Sequence, residues 1–215
     1  MRLQPRPGLT VAWARRARGP DAAETLLRWA VAARLGGEPD GLVVTRHCPR
    51  CGSTAHGRPG LRAAGPGPVP HVSLSRAAGV VAVAVSTEGP VGVDVEGVEP
   101  AAGVSAVLLA DGEAAADVLG VATTWVRKEA LLKATGQGLS VDLRDIRVSA
   151  PDEPPALLDW RAPGRPATPV WMRDVEPGPG LVGCVAQLGE EPPEVSLVEV
   201  GPAALAGAAR RRTAG

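Results

Sequence analysis

Short hydrophobic runs rich in β-branched residues recur along the chain and predict strands. The two clearest runs span residues 80–86 and 91–96, with Gly89-Pro90 as the turn between them. Shorter strands are predicted at residues 9–13, 41–45, 145–149, 170–173, 181–188 and 195–200. The stretch 47–70 is rich in Gly, Pro and Ser, and this composition predicts mostly loop.

Hydrophobic positions with helical spacing predict helices between these strands. Asp21 and Glu24 form a candidate capping box for the first helix, which a Gly-Gly pair ends. A later helix begins at a threonine cap, Thr123 or Thr124, and ends at Gly136. A further helix, with a break, is predicted at residues 104–119.

Strand–helix–strand content occurs twice, once before about residue 87 and once after it. A chain of 215 residues can bury a substantial core. We therefore predict an α+β fold of two similar α/β halves, residues 1–88 and 89–200. Residues 201–215 are predicted to be a frayed, flexible tail.

Charge and composition exclude several classes of protein. The 23 basic and 23 acidic residues balance, which argues against general nucleic-acid binding. The longest apolar run, near residues 77–85, is too short to cross a membrane. Three cysteines do not make a disulfide scaffold. The expectation is a soluble cytoplasmic protein.

Two acidic residues lie two positions apart in the strand at residues 91–96. Strand alternation places Asp94 and Glu96 on one face, while Val93 and Val95 face a core. Like charges side by side destabilise a strand unless something compensates them. Paired carboxylates suit Mg²⁺, which takes further ligands from water and substrate phosphates. The alternative is a strand that ends in solvent with Glu96 hydrated.

Lysine is concentrated at one place, because Lys128 and Lys133 are the only lysines among the 23 basic residues. Glu129 and Lys133 are spaced i, i+4 and share a helix face with Trp125. An ordinary surface ion pair would explain this spacing. A site whose chemistry needs compact ammonium groups rather than guanidinium groups would explain both the spacing and the choice of lysine.

Three potential metal ligands lie close together in the loop-rich stretch. Cys48 and Cys51 form a Cys-x-x-Cys pair beside His47, and His56 follows. This is half of a typical four-ligand zinc set, and no second pair follows it. Two thiols in a surface loop are the simpler interpretation. Cys184 lies in a strand-like run and is expected to be a core residue.

Two motifs in order resemble the 4′-phosphopantetheinyl transferases. They are Gly-Val-Asp-Val-Glu at residues 92–96 and Trp-x-x-Lys-Glu-Ala-x-x-Lys-x-x-Gly-x-Gly-Leu at residues 125–139. The resemblance is to the long, pseudo-dimeric type that acts on polyketide and non-ribosomal peptide synthetases. It implies two α/β halves with coenzyme A in the cleft between them.

The resemblance also implies a reaction and a set of residues. Members of the family move 4′-phosphopantetheine from coenzyme A to a serine of a carrier protein and release adenosine 3′,5′-bisphosphate. It implies that Asp94, Glu96 and Glu129 hold Mg²⁺ and that Glu129 is the base for the attacking serine. Lys133 is then expected to neutralise or protonate the leaving phosphate. Lys128, also named as a candidate catalytic residue, is expected to lie nearby as a phosphate or structural contact.

Coenzyme A contacts are implied by shorter similarities upstream. Arg58 stands for the Lys of a Gly-Lys-Pro segment, and Ser75 and Arg76 stand in an Asn-Leu-Ser-His segment with Arg in place of His. Thr25 belongs to an Arg-Thr-Leu-Leu stretch whose Arg is Glu24 here. The positive charge of that replaced arginine could be supplied by one of three N-terminal arginines: Arg15, Arg16 or Arg34.

The expected partners are coenzyme A and an acyl or peptidyl carrier protein, and two halves in one chain predict a monomer. The alternatives are a non-catalytic carrier-binding relative, another Mg²⁺-dependent phosphotransferase or hydrolase, and a small zinc-binding interaction protein. The absence of a Gly-x-x-x-x-Gly-Lys-Ser/Thr loop disfavours nucleotide triphosphates as substrates.

Overall fold

A computed structural model describes residues 8–16, 21–37, 41–48, 51–63, 69–99 and 105–213. The described strands are β1 (Leu9–Arg15), β2 (Val43–His47), β3 (Arg58–Arg62), β4 (His71–Ala77), β5 (Val80–Ser86), β6 (Val91–Gly97), β7 (Ile146–Val148), β8 (Leu157–Trp160), β9 (Val170–Val175), β10 (Leu181–Leu188) and β11 (Val195–Glu199). The helices are α1 (Ala22–Leu35), α2 (Ser105–Leu108), α3 (Val118–Thr135) and α4 (Pro202–Thr213). Helices and sheets together agree with the predicted α+β class.

Two sheets form the centre of the protein. The first has the order β11-β1-β5-β4 and the second the order β6-β10-β9. All their pairings are antiparallel except β1 with β11, which is parallel. The β2–β3 and β7–β8 hairpins form two smaller sheets.

Three hydrophobic clusters arrange these elements in layers. One lies between α1 and the first sheet, and another between α3 and the second sheet. The third lies between the two sheets, where Val91, Val93 and Val95 of β6 meet residues of β1 and β5. Strand β5 is buried along its whole length because both of its faces are covered. Its continuous apolar run in the sequence reflects this position.

The edge strands β4 and β6 bring the two sheets together. The backbone N–H of Val93 donates to Ser73 Oγ over 3.0 Å, and Ser75 Oγ donates to Asp94 Oδ1 over 2.7 Å. Both contacts are buried, and in each of them a serine hydroxyl of β4 is the hydrogen-bond partner of a polar group of β6. This junction positions the site described below.

The starts of two helices differ from the prediction. Helix α3 begins at Val118, where the Asp117 carboxylate accepts from Gly120 N over 2.7 Å. The predicted threonine cap is therefore wrong: Thr123 and Thr124 both lie inside the helix, where their hydroxyls donate to Leu119 O and Gly120 O. Asp21 precedes α1 without a side-chain capping bond, so the predicted capping box does not form.

The helix predicted at residues 104–119 is mostly absent. Ser105–Leu108 forms the short helix α2, and residues 118–119 already belong to the start of α3, while residue 104 lies outside the described residues. The carboxylate of Glu113 instead accepts from Ala110 N over 2.7 Å and from Val148 N over 2.7 Å. These bonds hold the segment in a compact non-helical turn over β7.

Several predicted loops contain regular structure. The stretch 47–70 was expected to be mostly loop, but β3 pairs with β2 across it. Strands β4 and β8 were not predicted as strands. The tail was expected to be frayed, but helix α4 follows β11, and Leu205 packs against the cluster beside α1.

Strand β11 also joins the sheet of the first predicted half, because it pairs with β1. Within the described part of the chain, no helix combines the length and the apolar character needed to cross a membrane.

Candidate active site

Strand β6 presents two carboxylates on the face opposite its valines. Val93 and Val95 are fully buried between the sheets, whereas Asp94 and Glu96 face α3. The predicted alternation is therefore confirmed. Asp94 is almost fully buried and Glu96 is partly exposed, so the acidic face of β6 runs from the interior of the protein to its surface.

Helix α3 completes the site with side chains one turn apart. Trp125, Glu129 and Lys133 share one helix face, and they line a cavity of about 360 Å³ together with Asp94 and Glu96. Strand β4 supplies the opposite wall. Its lining residues are Leu74, Ser75 and Arg76.

Gly92 allows α3 to lie directly against β6. A Cβ at this position would collide with Ala130 O and Ala134 N of the helix backbone. This glycine belongs to the motif at residues 92–96, but its packing role was not predicted, because nothing in a sequence shows which helix crosses a strand. The close approach brings the Lys133 side chain within reach of Asp94.

Asp94 is held by two donors. Lys133 Nζ lies 2.6 Å from Asp94 Oδ1 and also donates to Val93 O over 3.1 Å. Ser75 Oγ donates to the same Asp94 oxygen. These contacts fix one carboxylate oxygen of Asp94 and leave the other, Oδ2, for a different partner.

Two carboxylate oxygens in the cavity are buried and have no hydrogen-bond partner among the described residues. They are Asp94 Oδ2 and Glu129 Oε1. Burying an unpaired carboxylate oxygen is costly unless a cation or a donor satisfies it. Three carboxylates with two such oxygens form an oxygen-rich donor set of the kind that Mg²⁺ prefers. The residues present therefore fit a divalent cation.

The charges in the cavity shift the acid–base properties of its carboxyl groups. Burial, followed by the charge of Asp94, raises the pKa of Glu129 to about 7. Burial and the charge of Asp94 also raise the pKa of Glu96. Lys133 acts in the opposite direction on both groups. A carboxyl group that titrates near neutral pH can accept a proton under physiological conditions.

Lys128 does not belong to this site. Its side chain is fully buried, and its Nζ donates to Leu108 O, Leu143 O and the Glu113 carboxylate. Burial lowers the pKa of Lys128, and the hydrogen bond and charge of Glu113 oppose this shift. Its ammonium group is enclosed by acceptors beside α2 and β7, which fits the structural contact that the sequence allowed and gives no support to a catalytic or phosphate contact.

The other predicted coenzyme A residues are distributed along the fold. Arg58 lines a second cavity of about 650 Å³ together with His47, His71 and Gly136. Burial lowers the pKa of Arg58 and of His71, and the Arg58 charge lowers that of His71 further. Thr25 lies in α1 and lines neither cavity.

The two cavities follow each other along the same elements. Strand β4 gives residues from its start to the second cavity and from its later part to the first. Helix α3 gives Ala134, Thr135 and Gly136 to the second cavity and Lys133 to the first. An extended ligand could therefore contact both cavities between β4 and α3.

Two of the N-terminal arginines considered as alternatives already have partners. Arg15 Nε pairs with Glu199 over 2.7 Å, and Arg34 Nε donates to Thr10 Oγ1 over 2.9 Å. Neither arginine lines the two cavities.

One known family is similar to the part of the chain that carries the acidic residues of the cavity. The model described as the 4′-phosphopantetheinyl transferase superfamily matches residues 90–170. This stretch of the chain is therefore similar to the superfamily, and the match supports phosphopantetheine transfer as the general class of activity. The matched stretch contains the three carboxylates and Lys133, whereas Ser75 and Arg76 precede it. No curated protein matched the chain.

Proposed function

We propose that the protein transfers 4′-phosphopantetheine from coenzyme A to a serine hydroxyl of an acyl or peptidyl carrier protein, in a Mg²⁺-dependent reaction. One observation carries the proposal. Asp94, Glu96, Glu129 and Lys133 line a single cavity and all lie in the stretch that matches the 4′-phosphopantetheinyl transferase superfamily model, and two of the carboxylate oxygens there are buried without a hydrogen-bond partner among the described residues.

Asp94, Glu96 and Glu129 are the residues that would hold Mg²⁺. When bound, Mg²⁺ would neutralise the charge of the pyrophosphate oxygens of coenzyme A. Lys133 and Ser75 both donate to Asp94 Oδ1, so they keep the Asp94 side chain oriented with Oδ2 available. Positioned ligands of this kind lower the cost of binding a cation.

The reaction needs a base and a group that stabilises the leaving phosphate. The serine oxygen of the carrier forms a bond to the β-phosphorus of coenzyme A, and the bond from that phosphorus to the oxygen of the leaving phosphate breaks. Glu129, which lies in the same cavity, is the proposed base and accepts the serine proton directly or through water. Lys133 then stabilises or protonates adenosine 3′,5′-bisphosphate as it leaves.

Coenzyme A would occupy the two consecutive cavities. Ser75 and Arg76 border the acidic cavity, and Arg58 borders the second one. An arginine fork suits phosphate, so Arg76 and Arg58 are the proposed contacts for the phosphates of coenzyme A. Thr25 remains a proposed contact on the strength of the sequence resemblance alone.

The finer features of the resemblance are part of the same proposal. They are the pseudo-dimeric arrangement of two halves, carrier domains of polyketide or non-ribosomal peptide synthetases as substrates, a cytoplasmic location and a monomeric state. A light-scattering mass of twice the chain mass of 21.9 kDa would contradict the monomer.

The test is intact-mass spectrometry of several apo carrier proteins incubated with the protein, coenzyme A and Mg²⁺. We expect the mass of one phosphopantetheine to be added, and we expect this gain to disappear with EDTA. The variants Asp94→Asn and Glu129→Gln should lose the activity. Asp152→Asn is the matched control, because Asp152 is an exposed acid that lines neither cavity.

Binding measurements separate the alternatives when no transfer is seen. Calorimetric binding of coenzyme A without transfer to any carrier would replace the proposal with a non-catalytic carrier-binding protein. Neither transfer nor binding of coenzyme A would refute the proposed substrate, and a different Mg²⁺-dependent phosphotransferase would then have to be considered.

A further inference from the structure

Three metal-ligating side chains meet at the end of the β2–β3 hairpin, outside the acidic cavity. The ligating atoms of Cys48, Cys51 and His56 all lie within 4.8 Å of one another. Cys51 Sγ is 3.4 Å from His56 Nε2. Two tetrahedral zinc ligands, one sulfur and one nitrogen, are separated by about 3.5 Å, given zinc bond lengths of about 2.3 Å and about 2.0 Å.

The backbone of the hairpin end holds these side chains together. Gly52 N donates to Cys48 O over 2.8 Å, and Cys48 N donates to Ser53 O over 2.9 Å. Gly57 has a φ of +105°, and a Cβ there would collide with the backbone of His47 and Cys48. Only glycine allows the backbone at residue 57 to approach the backbone of His47 and Cys48 this closely. This approach keeps the neighbouring His56 near the two thiols.

We propose that Cys48, Cys51 and His56 bind Zn²⁺, with water in the fourth position. Two thiolates and one imidazole are the ligand types that zinc selects, and Cys-x-x-Cys followed by His is a spacing found in zinc sites. Within the described residues the cluster contains three ligands, and water is the proposed fourth. Binding converts the two thiols to thiolates and releases their protons.

The metal acts on the second cavity through the hairpin. Ligands Cys48 and His56 come directly after β2 and just before β3, and these strands carry His47 and Arg58 into the cavity wall. The hairpin forms a separate two-stranded sheet that packs on the cluster beside α1 through Val44 and Leu61, whereas its end with the three ligands is exposed or half-buried. Zinc closes its loop and fixes the position of Arg58.

Metal analysis of the purified protein tests this directly. Protein expressed with added zinc and purified without chelator should contain about one zinc per chain. The variants Cys48→Ser, Cys51→Ser and His56→Gln should each lose most of it. Two matched controls should keep it: His47→Gln, which changes the neighbouring histidine outside the cluster, and Cys184→Ser, which changes the buried cysteine of β10.

A second measurement does not depend on the variants folding. Wild-type protein stripped of metal and titrated with Co²⁺ should develop the visible absorption of tetrahedral cobalt with thiolate ligands, and Zn²⁺ should abolish it. Hydrogen exchange at residues 43–62 should become slower in the zinc form than in the stripped form.

Three outcomes would overturn the proposal. They are the absence of metal and of cobalt absorption, a Cys48–Cys51 disulfide in freshly purified protein as the stable state, and zinc that persists in all three ligand variants. None of these measurements uses transferase activity, so they stand or fall separately from the proposed function.

Discussion

Replacing Glu129 by glutamine tests the cost of a buried carboxylate that the fold leaves unpartnered. Its Oε1 has no hydrogen-bond partner among the described residues, and its pKa is raised from 4.5 to about 7, first by burial and then by Asp94. Glutamine has nearly the same shape and cannot ionise. The substitution Glu129→Gln therefore removes the charge and leaves the packing against β6 nearly unchanged.

The sign of the effect follows from proton binding. In the unfolded chain the carboxyl ionises near pH 4.5, whereas in the folded protein it keeps its proton until about pH 7. Between these values the folded state binds more protons, so the free energy of unfolding of the wild type decreases as the pH rises. The difference between the two pKa values corresponds to about 3 kcal/mol of the free energy of unfolding, and the wild type has lost this full amount once the pH is above 7.

Without divalent metal, Glu129→Gln should therefore be more stable than the wild type by about 3 kcal/mol at pH 8 and by less than about 1 kcal/mol at pH 5. The assay is urea unfolding in EDTA at both pH values, with linear extrapolation. Asp152→Asn serves as the exposed-acid control and should follow the wild type. Added Mg²⁺ should raise the midpoint of the wild type more than that of Glu129→Gln.

Two results would refute this reasoning. The first is a Glu129→Gln variant that is less stable than the wild type at pH 8, because the ionised carboxylate would then stabilise the fold. The second is an equal stability change at pH 5 and pH 8, because the effect would then come from packing and not from ionisation.

Three further predictions address the packing and the charges around the site. Gly92→Ala should lower the free energy of unfolding by about 3 kcal/mol or more, because the added Cβ meets the backbone of α3. The control Gly201→Ala, where a Cβ meets nothing within 4 Å, should be neutral in the same urea assay. Lys128→Met should cost about 3–5 kcal/mol in that assay by leaving the Glu113 carboxylate unpaired, and a loss below 1 kcal/mol would contradict the buried pair. Lys133→Met should lower the rate of phosphopantetheine transfer by about 100-fold or more, and Lys133→Arg should restore little of that rate. Full activity of either variant would show that Lys133 has no role in the mechanism.

The local sequence was sufficient to predict the parts of the site that lie within one element. Alternation placed Asp94 and Glu96 on one face of β6, because successive side chains of a strand point to opposite sides. Helical spacing grouped Glu129 and Lys133, because residues four apart lie on one helix face. Gly136 ends α3 with a φ of 78°, a conformation that costs glycine least.

The start of α3 and the end of the chain were harder to predict because both depend on distant contacts. The helix begins about two turns earlier than the threonines suggested, since Asp117 caps it. Helix α4 has an apolar side that packs beside α1, and a sequence does not show that this surface is available. The hairpin strand β3 forms despite Pro59 and Gly60, because β2 provides the ladder beside it.

The sequence by itself determined the α+β composition, the acidic face of β6 and the charged face of α3, because each depends on the periodicity of one element. Only the tertiary structure decided which of two neighbouring lysines belongs to the site. Lys128 points into a shell of carbonyl groups and Glu113, whereas Lys133 reaches Asp94 across the contact that Gly92 permits. Helical spacing fixes the angle between two side chains, but the surface that each one meets is set by the packing of α3 against β6.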